Sequence, residues 1–433
     1  MKVKLPVLLY AIILLLPLDQ YKFAGLSLSN LTIIILTMIL IYSFSRGRKI
    51  VSSPIYPLLI GLFFISLVSL ISSDDILTAA RNEITLLSGM LLVFLFINIC
   101  KSDLIYKTII LWIFRIAIIT SIIAIFQNIY WMFTGEVIIG RYYAGWYPLF
   151  GGIYVFKSSA FFTGGLIFGH YLLLPVILGI QLWPYIKKRK HRILIKISVT
   201  LSVIALFLTF SRAAWISFLL YVLYIFIKKI RKLKNVFKYP ITICSLLFIT
   251  ISIVPTIDFF LNTLTPLSTY NRLGIINSSI ESINNNPFIG RGLGSTVGQS
   301  LSGSQYEIAS EKSGGKKLDI DLGKTYGRET HNTFLQVAVD LGLIGLFLYL
   351  FLLYTVWKNR MVSIQKSNGN ILDAMKKGVF YVFVFSTICS TFSSIMLVKQ
   401  NWILIGLVIA GSRIQGRRTI AGRFQHSNNV LTA

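Results

Sequence analysis

The feature that constrains this chain most is a series of twelve apolar runs, each long enough or nearly long enough to cross a bilayer. A crossing helix needs roughly 20 mostly apolar residues. The runs fall at 5–18, 24–44, 54–71, 84–99, 108–133, 160–183, 193–210, 213–227, 239–257, 333–357, 379–397 and 401–413. The stretch from 193 to 227 is too long for one crossing, and Ser211-Arg212 divides it in two. Composition agrees. The 433 residues hold 42 Lys+Arg against 15 Asp+Glu, a net charge of +27, which by itself would suit a nucleic-acid binder. Charged residues are only 13% of the chain and hydrophobic ones 55%, whereas a soluble domain carries about 25% charged residues. That excludes a water-facing nucleic-acid module, and the hydrophobicity excludes a disordered chain.

The segments between the runs alternate in charge. The N-terminus, 45–53, 100–107, 184–196, 228–238, 358–378 and the tail from Arg413 hold 28 of the basic residues, with Asp103 and Asp373 as their only acids. The other set holds 13 basic and 13 acidic residues, counting Asp340 with it. Excess Lys and Arg mark cytoplasmic loops. The expectation is therefore a multi-pass protein of a bacterial cytoplasmic (inner) membrane. Both termini would be cytoplasmic, with anionic lipid a partner at that face, and the neutral segments would face the periplasm or exterior. Met1-Lys2-Val3-Lys4 followed by an apolar run resembles a signal peptide, but no small-residue cleavage site follows, so it reads as an uncleaved first helix. Cys100, Cys244 and Cys389 form no CxxC or Cys/His cluster, so neither a disulfide framework nor a zinc site is expected.

The predicted architecture is an all-α polytopic transmembrane bundle of about twelve helices with one large extracytoplasmic loop. Residues 1–257 hold helices one to nine, 258–332 the loop, 333–413 the last three helices and 414–433 a cytoplasmic tail. A loop of this length is too long for a simple connection. Within it, 268–286 reads as an amphipathic helix on the membrane surface or the bundle top. Ser268 or Thr269 is its N-cap, Leu273, Ile276, Ile280 and Ile283 its apolar stripe, and Pro287 its stop. Arg272, in its first turn, either faces water or completes an anion site with the free backbone N–H groups. Asn286-Pro287-Phe288-Ile289-Gly290-Arg291-Gly292-Leu293-Gly294 follows, a Gly-rich turn able to bring backbone close to a ligand. Residues 295–325 read as a lid or a disordered stretch. Asp319-Ile320-Asp321 matches a metal-holding pattern of nucleotide-sugar enzymes, but nucleotide sugars are cytoplasmic and this loop is not.

Of four histidines, His191 and His426 read as solvated and His170 as a satisfied core histidine. His331 sits at a helix N-terminus at the membrane boundary, three residues from Arg328. The positive helix end and the arginine favour a neutral imidazole, able to accept a proton; Glu329 acts the other way. Arg212 stands between apolar runs with no acid nearby in sequence, a costly placement that makes it a functional candidate, with interfacial snorkelling the alternative. Arg115 snorkels from within a span. In the outer segment 134–159, Tyr142, Tyr143, Trp146 and Tyr147 suit either sugar stacking or an interfacial aromatic belt.

Thr209-Phe210-Ser211-Arg212-Ala213-Ala214-Trp215 resembles the Ser-Arg segment of the O-antigen ligase and polymerase superfamily. In order come Arg272, the 286–294 turn, His331-Asn332-Thr333-Phe334-Leu335 and Leu341-Gly342-Leu343-Ile344-Gly345. The resemblance covers about 205–345 by motif. It implies a GT-C-like inner-membrane glycosyltransferase that needs no cofactor or metal. The donor would be a polyprenyl-diphosphate-linked glycan and the acceptor a glycan or lipid-linked hydroxyl, in O-antigen, capsule or similar surface-polysaccharide synthesis. On this resemblance Arg212 and Arg272, then Arg291 and Arg328, bind the diphosphate. His331 acts as base, and Asn332, Tyr142 and Trp146 position glycan. A repeat-unit polymerase is taken ahead of a ligase acting on lipid A-core, because surface-polysaccharide loci with divergent polymerases are numerous. A twelve-helix secondary transporter is the alternative of another class; repeat symmetry and midplane charges would mark one, and neither stands out here.

Overall fold

The structure, a computed structural model, describes residues 5–19, 21–23, 26–138, 146–148, 154–230, 266–295, 330–364 and 370–414. It is overwhelmingly helical. Helix α1 spans Leu5–Leu15 and runs on as a 3-10 turn to Leu18; α2 is Leu28–Ser45, α3 Tyr56–Ser69, α4 Ile76–Ile99, α5 Asp103–Thr134 and α6 Gly165–Leu182. Then come α7 Arg189–Leu208, α8 Arg212–Ile230, α9 Pro266–Asn285, α10 Thr333–Ile364 and α11 Ile371–Ser390, and α12 covers 399–414. Eleven of the predicted spans fall on helices; 239–257 lies outside the described residues. Among the described helices, six are long and apolar enough to cross a membrane by length and composition: α2, α4, α5, α6, α7 and α10.

The described residues agree with the all-α expectation, with two short ladders added in the connections. Two antiparallel ladders are present, β1 (Lys22–Phe23) with β2 (Leu26–Ser27), and β3 (Trp146–Pro148) with β4 (Tyr154–Phe156). Both sit in interhelical connections, where backbone groups without a helical partner pair with each other.

Several helices extend beyond their apolar runs because caps, not hydropathy, set their ends. Asp75 accepts from the Thr78 amide at 3.0 Å and starts α4 eight residues before the predicted run. Asn370 accepts from the Asp373 amide at 3.0 Å and starts α11 at Ile371, so this helix takes in Lys376 and Lys377 and ends at Ser390 rather than 397. The break between α7 and α8 falls where the sequence placed it, at Thr209–Ser211, with Phe210 in the left-handed region at φ 50°.

Helix α6 is the buried hub, packed against α7, α8 and α11, while α7 also lies along α5 and α3 along α10. Among the described residues, members of the two charge sets gather at opposite ends of this bundle. At the neutral end Ser72 Oγ donates to Gly290 O at 2.7 Å, Asn82 Nδ2 to Leu293 O at 3.1 Å, and Lys399 pairs with Asp19. At the basic end Arg48 donates to Asn98 O at 3.2 Å and Lys101 Nζ to Lys49 O at 3.4 Å. Arg115, exposed on α5, lies over the Trp112 ring at 4.9 Å.

Candidate functional site

At the neutral end, the start of α10 and the turn 286–295 form one clamped unit. Arg291 N donates to Val339 O at 2.9 Å, Gly292 N to Asp340 O at 3.0 Å, and Leu343 N to Pro287 O at 2.7 Å. Helix α10 opens at Gly342, whose φ of 69° and ψ of −174° are non-helical, and the turn inserts there. The approach is backbone to backbone. A Cβ on Gly342 would lie 2.2 Å from Phe288 O, and one on Gly290 would lie 2.4 Å from Asp340 O. The sequence reading gave the Gly-rich 286–294 turn to a ligand; in the structure its Gly290 admits α10 instead.

Asp340 is the hub of the clamp. It is buried two turns into α10, and its carboxylate accepts from Gly294 N at 3.0 Å, Ser295 N at 3.1 Å and Gln336 Nε2 at 2.8 Å. Gln336 Nε2 also donates to Ser295 O at 2.9 Å, and its Oε1 accepts from Thr330 N at 2.9 Å. The residue after Thr330 is His331, held in the left-handed region at φ 52° and partly buried. Asn332 then caps α10, its Oδ1 accepting from Phe334 N at 2.9 Å and Leu335 N at 3.1 Å. Asn332 is therefore the helix cap. A left-handed non-glycine residue costs of order 1–3 kcal/mol unless its surroundings impose it, and here both neighbours of His331 are tied down.

Arg291 forms an ion pair with Asp74 at the α3–α4 turn and lies 3.4 Å from Ser282 Oγ. Arg212 begins α8, directly after the buried Ser211. Among the described residues no acid pairs with it. Its electrostatic neighbour is Lys157, whose ammonium is pushed below its ordinary range first by burial and then by Arg212. The stretch carrying Lys157 is held firmly. Gln127 exchanges two hydrogen bonds with the Ala160 backbone, at 2.9 and 3.1 Å, Ser158 Oγ donates to Ala124 O at 2.7 Å, and Ser158 N donates to Leu208 O at 2.9 Å. The start of α6 closes on the same turn, a Cβ on Gly165 falling 2.6 Å from Thr209 O.

Between the start of α6 and the clamped end of α10 lies a cavity of about 420 Å³ lined by Asn82, Thr163, Gln336, Asp340, Asp19 and Lys399 among others. Lys399 is buried and donates to Ser27 Oγ at 3.1 Å and Ser29 Oγ at 2.6 Å as well as pairing with Asp19. Burial pushes the Asp19 carboxyl up, but Lys399 and the two serine hydroxyls outweigh it and hold the group below its usual 3.8.

The structure thus brings Arg291, His331 and Asn332 together through the clamp, and Arg212 contributes to the electrostatic field at Lys157. Arg272 lies on α9 with its side chain outside the described residues, and Arg328, Tyr142, Tyr143, Asp319, Asp321 and the stretch 296–329 lie outside them entirely. Trp146 is on β3, paired with Phe156, its side chain likewise outside.

Two details of α9 are corrected. It begins at Pro266, a residue preset for a helix's first turn, so Ser268 and Thr269 are inside it and Arg272 is in the second turn. Its buried face is Ile275, Ser278, Ser279 and Ser282, with Ile283 packing beside Ile275 and Val339, while Ile276 and Ile280 are 40% and 49% exposed. The serines face inward because α10 packs closely there. His170 is also corrected: it is fully buried in α6, yet neither ring nitrogen has a hydrogen-bond partner among the described residues.

Sequence reasoning missed Lys157, Asp74, Gln336 and the Lys399–Asp19 pair, and used Asp340 only as a charge. Gln336 and Asp340 carried a legible signal, two polar groups at i, i+4 inside an apolar run. Asp74, Asp19 and Lys399 did not, because their partners are hundreds of residues away.

Fold and site define a helical membrane protein whose clamped polar turn, with Arg291, His331 and Asp340, stands at the end of the bundle opposite its basic segments. Residues 197–350 match the model of a family described as O-antigen ligase, a likeness that supports the O-antigen ligase and polymerase superfamily. No curated protein sequence matches the chain.

Proposed function

We propose that this protein is a glycosyltransferase of the extracytoplasmic face of a bacterial inner membrane. It moves an oligo- or polysaccharide from a polyprenyl-diphosphate carrier to an acceptor hydroxyl in surface-polysaccharide synthesis. The supporting observation is that one family match, 197–350, contains Arg212, Arg272, Arg291, Arg328 and His331, and the described members of that set all stand at the neutral end. The diphosphate makes the donor's leaving group ready to depart. Guanidinium groups suit it through bidentate geometry, with Arg212 first and Lys157 as a second cation in the same electrostatic field. The acceptor oxygen attacks the anomeric carbon, the bond from that carbon to the diphosphate oxygen breaks, and His331 takes the hydroxyl proton. Positioning and charge stabilisation supply the rest of the rate.

The test is His331→Ala and Arg212→Ala in the full-length protein. Both variants are expected to insert normally, abolish transfer and accumulate lipid-linked donor; normal glycan display in both would remove the mechanism. Added EDTA is expected to leave transfer unchanged, whereas a metal requirement would bring Asp319 and Asp321 back as ligands. Two acceptors fit the same chemistry: another lipid-linked repeat unit, our first reading, and lipid A-core, favoured by the matched family's description as a ligase. The glycan pattern of a deletion strain separates them. A single capped repeat means polymerase, and full-length chains retained on carrier lipid mean ligase.

A further inference from the structure

The basic end holds a second cavity, of about 570 Å³, between the C-terminal turns of α6, the first half of α7 and the last turns of α8. We propose that it binds the headgroup of an anionic phospholipid, with Lys196, Lys228 and Lys229 as its phosphate ligands. All three lysines line it, and among the described residues no acid does. Lys228 and Lys229 are in the last turn of α8, and Lys196 is two turns into α7. The cations therefore converge from two helices.

The rest of the lining is not that of a site for a soluble anion. Ile180, Val199 and Ile225 form an apolar wall, and Trp183 and Tyr185 stand at the end of α6, 38% and 42% exposed. Tyrosine and tryptophan at that level mark a membrane–water interface. A phosphate at the lysines with an acyl chain along the apolar wall satisfies both halves of the lining, which a free phosphate does not. A further cation reinforces the field: Arg192 lies 4.9 Å from the Trp183 ring centroid. Like charges around one concave space repel each other until an anion enters. Basic pockets between membrane helices take lipid phosphates on this principle, and the volume is in the range of small-ligand sites, roughly 300–1,000 Å³.

The experiment uses the full-length protein, purified in detergent and stripped of lipid, with phosphatidylglycerol or phosphatidylethanolamine added back and bound lipid counted by native mass spectrometry. Phosphatidylglycerol is expected to be retained and phosphatidylethanolamine not. The triple variant Lys196→Ala, Lys228→Ala, Lys229→Ala is expected to weaken phosphatidylglycerol binding about a hundredfold. The corresponding triple arginine variant should keep it, which separates lost charge from lost folding. Thr200→Trp, which fills the cavity and leaves every charge in place, should also lose it. Equal retention of the two lipids, or binding unchanged by the alanine triple or by Thr200→Trp, would overturn the proposal. So would displacement by millimolar inorganic phosphate.

Discussion

Lys157 and Arg212 illustrate how the fold spends its buried polar groups. Gln127 and the serine at 158 fix the backbone next to Lys157, whose charge Arg212 disfavours. Arg212 disfavours the charge on Lys157, and a diphosphate bound at Arg212 would offset that effect. Lys157→Met is therefore expected to raise the KM for lipid-linked donor about tenfold, the worth of one charge-assisted hydrogen bond, with kcat reduced less and insertion unchanged. An unaltered KM would take Lys157 out of the donor site. Arg212 was legible in the sequence as a charge stranded between apolar runs; Lys157 was not, because it sits in a segment of mixed polarity where a lysine needs no explanation.

At the scale of elements, the kink in α10 is the decisive feature. Gly342 divides a short N-terminal piece, carrying Gln336 and Asp340, from the long apolar remainder, and the 286–295 turn fills the opening. A side chain at Gly342 would meet both a positive φ and the Phe288 carbonyl, whereas Gly47, at φ 87°, has nothing within 4 Å of its Cβ position. Gly47→Ala is expected to cost about 1 kcal/mol, the conformational term alone. Gly342→Ala should cost about 3 kcal/mol or more, because backbone has to move as well. Thermal unfolding of the two full-length variants in detergent tests this, and equal drops in Tm would show that the packing at Gly342 is slack. The order of the motifs in the sequence was plain. That the 286–294 turn and the Leu341–Gly345 segment are two halves of one contact was not, since one-dimensional spacing says nothing about which backbones meet.

Among the described residues, charge is partitioned between the two ends, and several contacts tie distant parts of the chain at the neutral end. The Asp19–Lys399 pair is one, joining the α1–α2 connection to the start of α12. Because the folded Asp19 carboxyl is held below its ordinary value, its contribution is complete above the unfolded value of 3.8 and is lost as pH falls through the lower folded value. The Tm difference between wild type and Asp19→Asn should accordingly stay constant from pH 7 down to about 5 and shrink only in stronger acid. A difference that vanished already near neutral pH would mean that the pair is not held in this way.

Length, hydropathy and the distribution of lysine and arginine were enough to establish the membrane class, nearly every helix and the separation of a basic from a neutral end. These are consequences of the solvent: a bilayer demands long apolar helices, and its two faces sort charge, whatever the helices pack against. The motif residues, read in order, led to the family of the 197–350 region. Tertiary structure alone decided which groups are partners. It committed Arg291 to Asp74, 217 residues away, made Asp340 the hub behind His331, turned the glycines of 290–294 from a ligand cradle into a packing surface, and brought Lys157 into the field of Arg212. Such pairings depend on how helices with similar apolar faces settle against one another, and that is set by shape and by the need to satisfy each buried polar group, not by any local pattern.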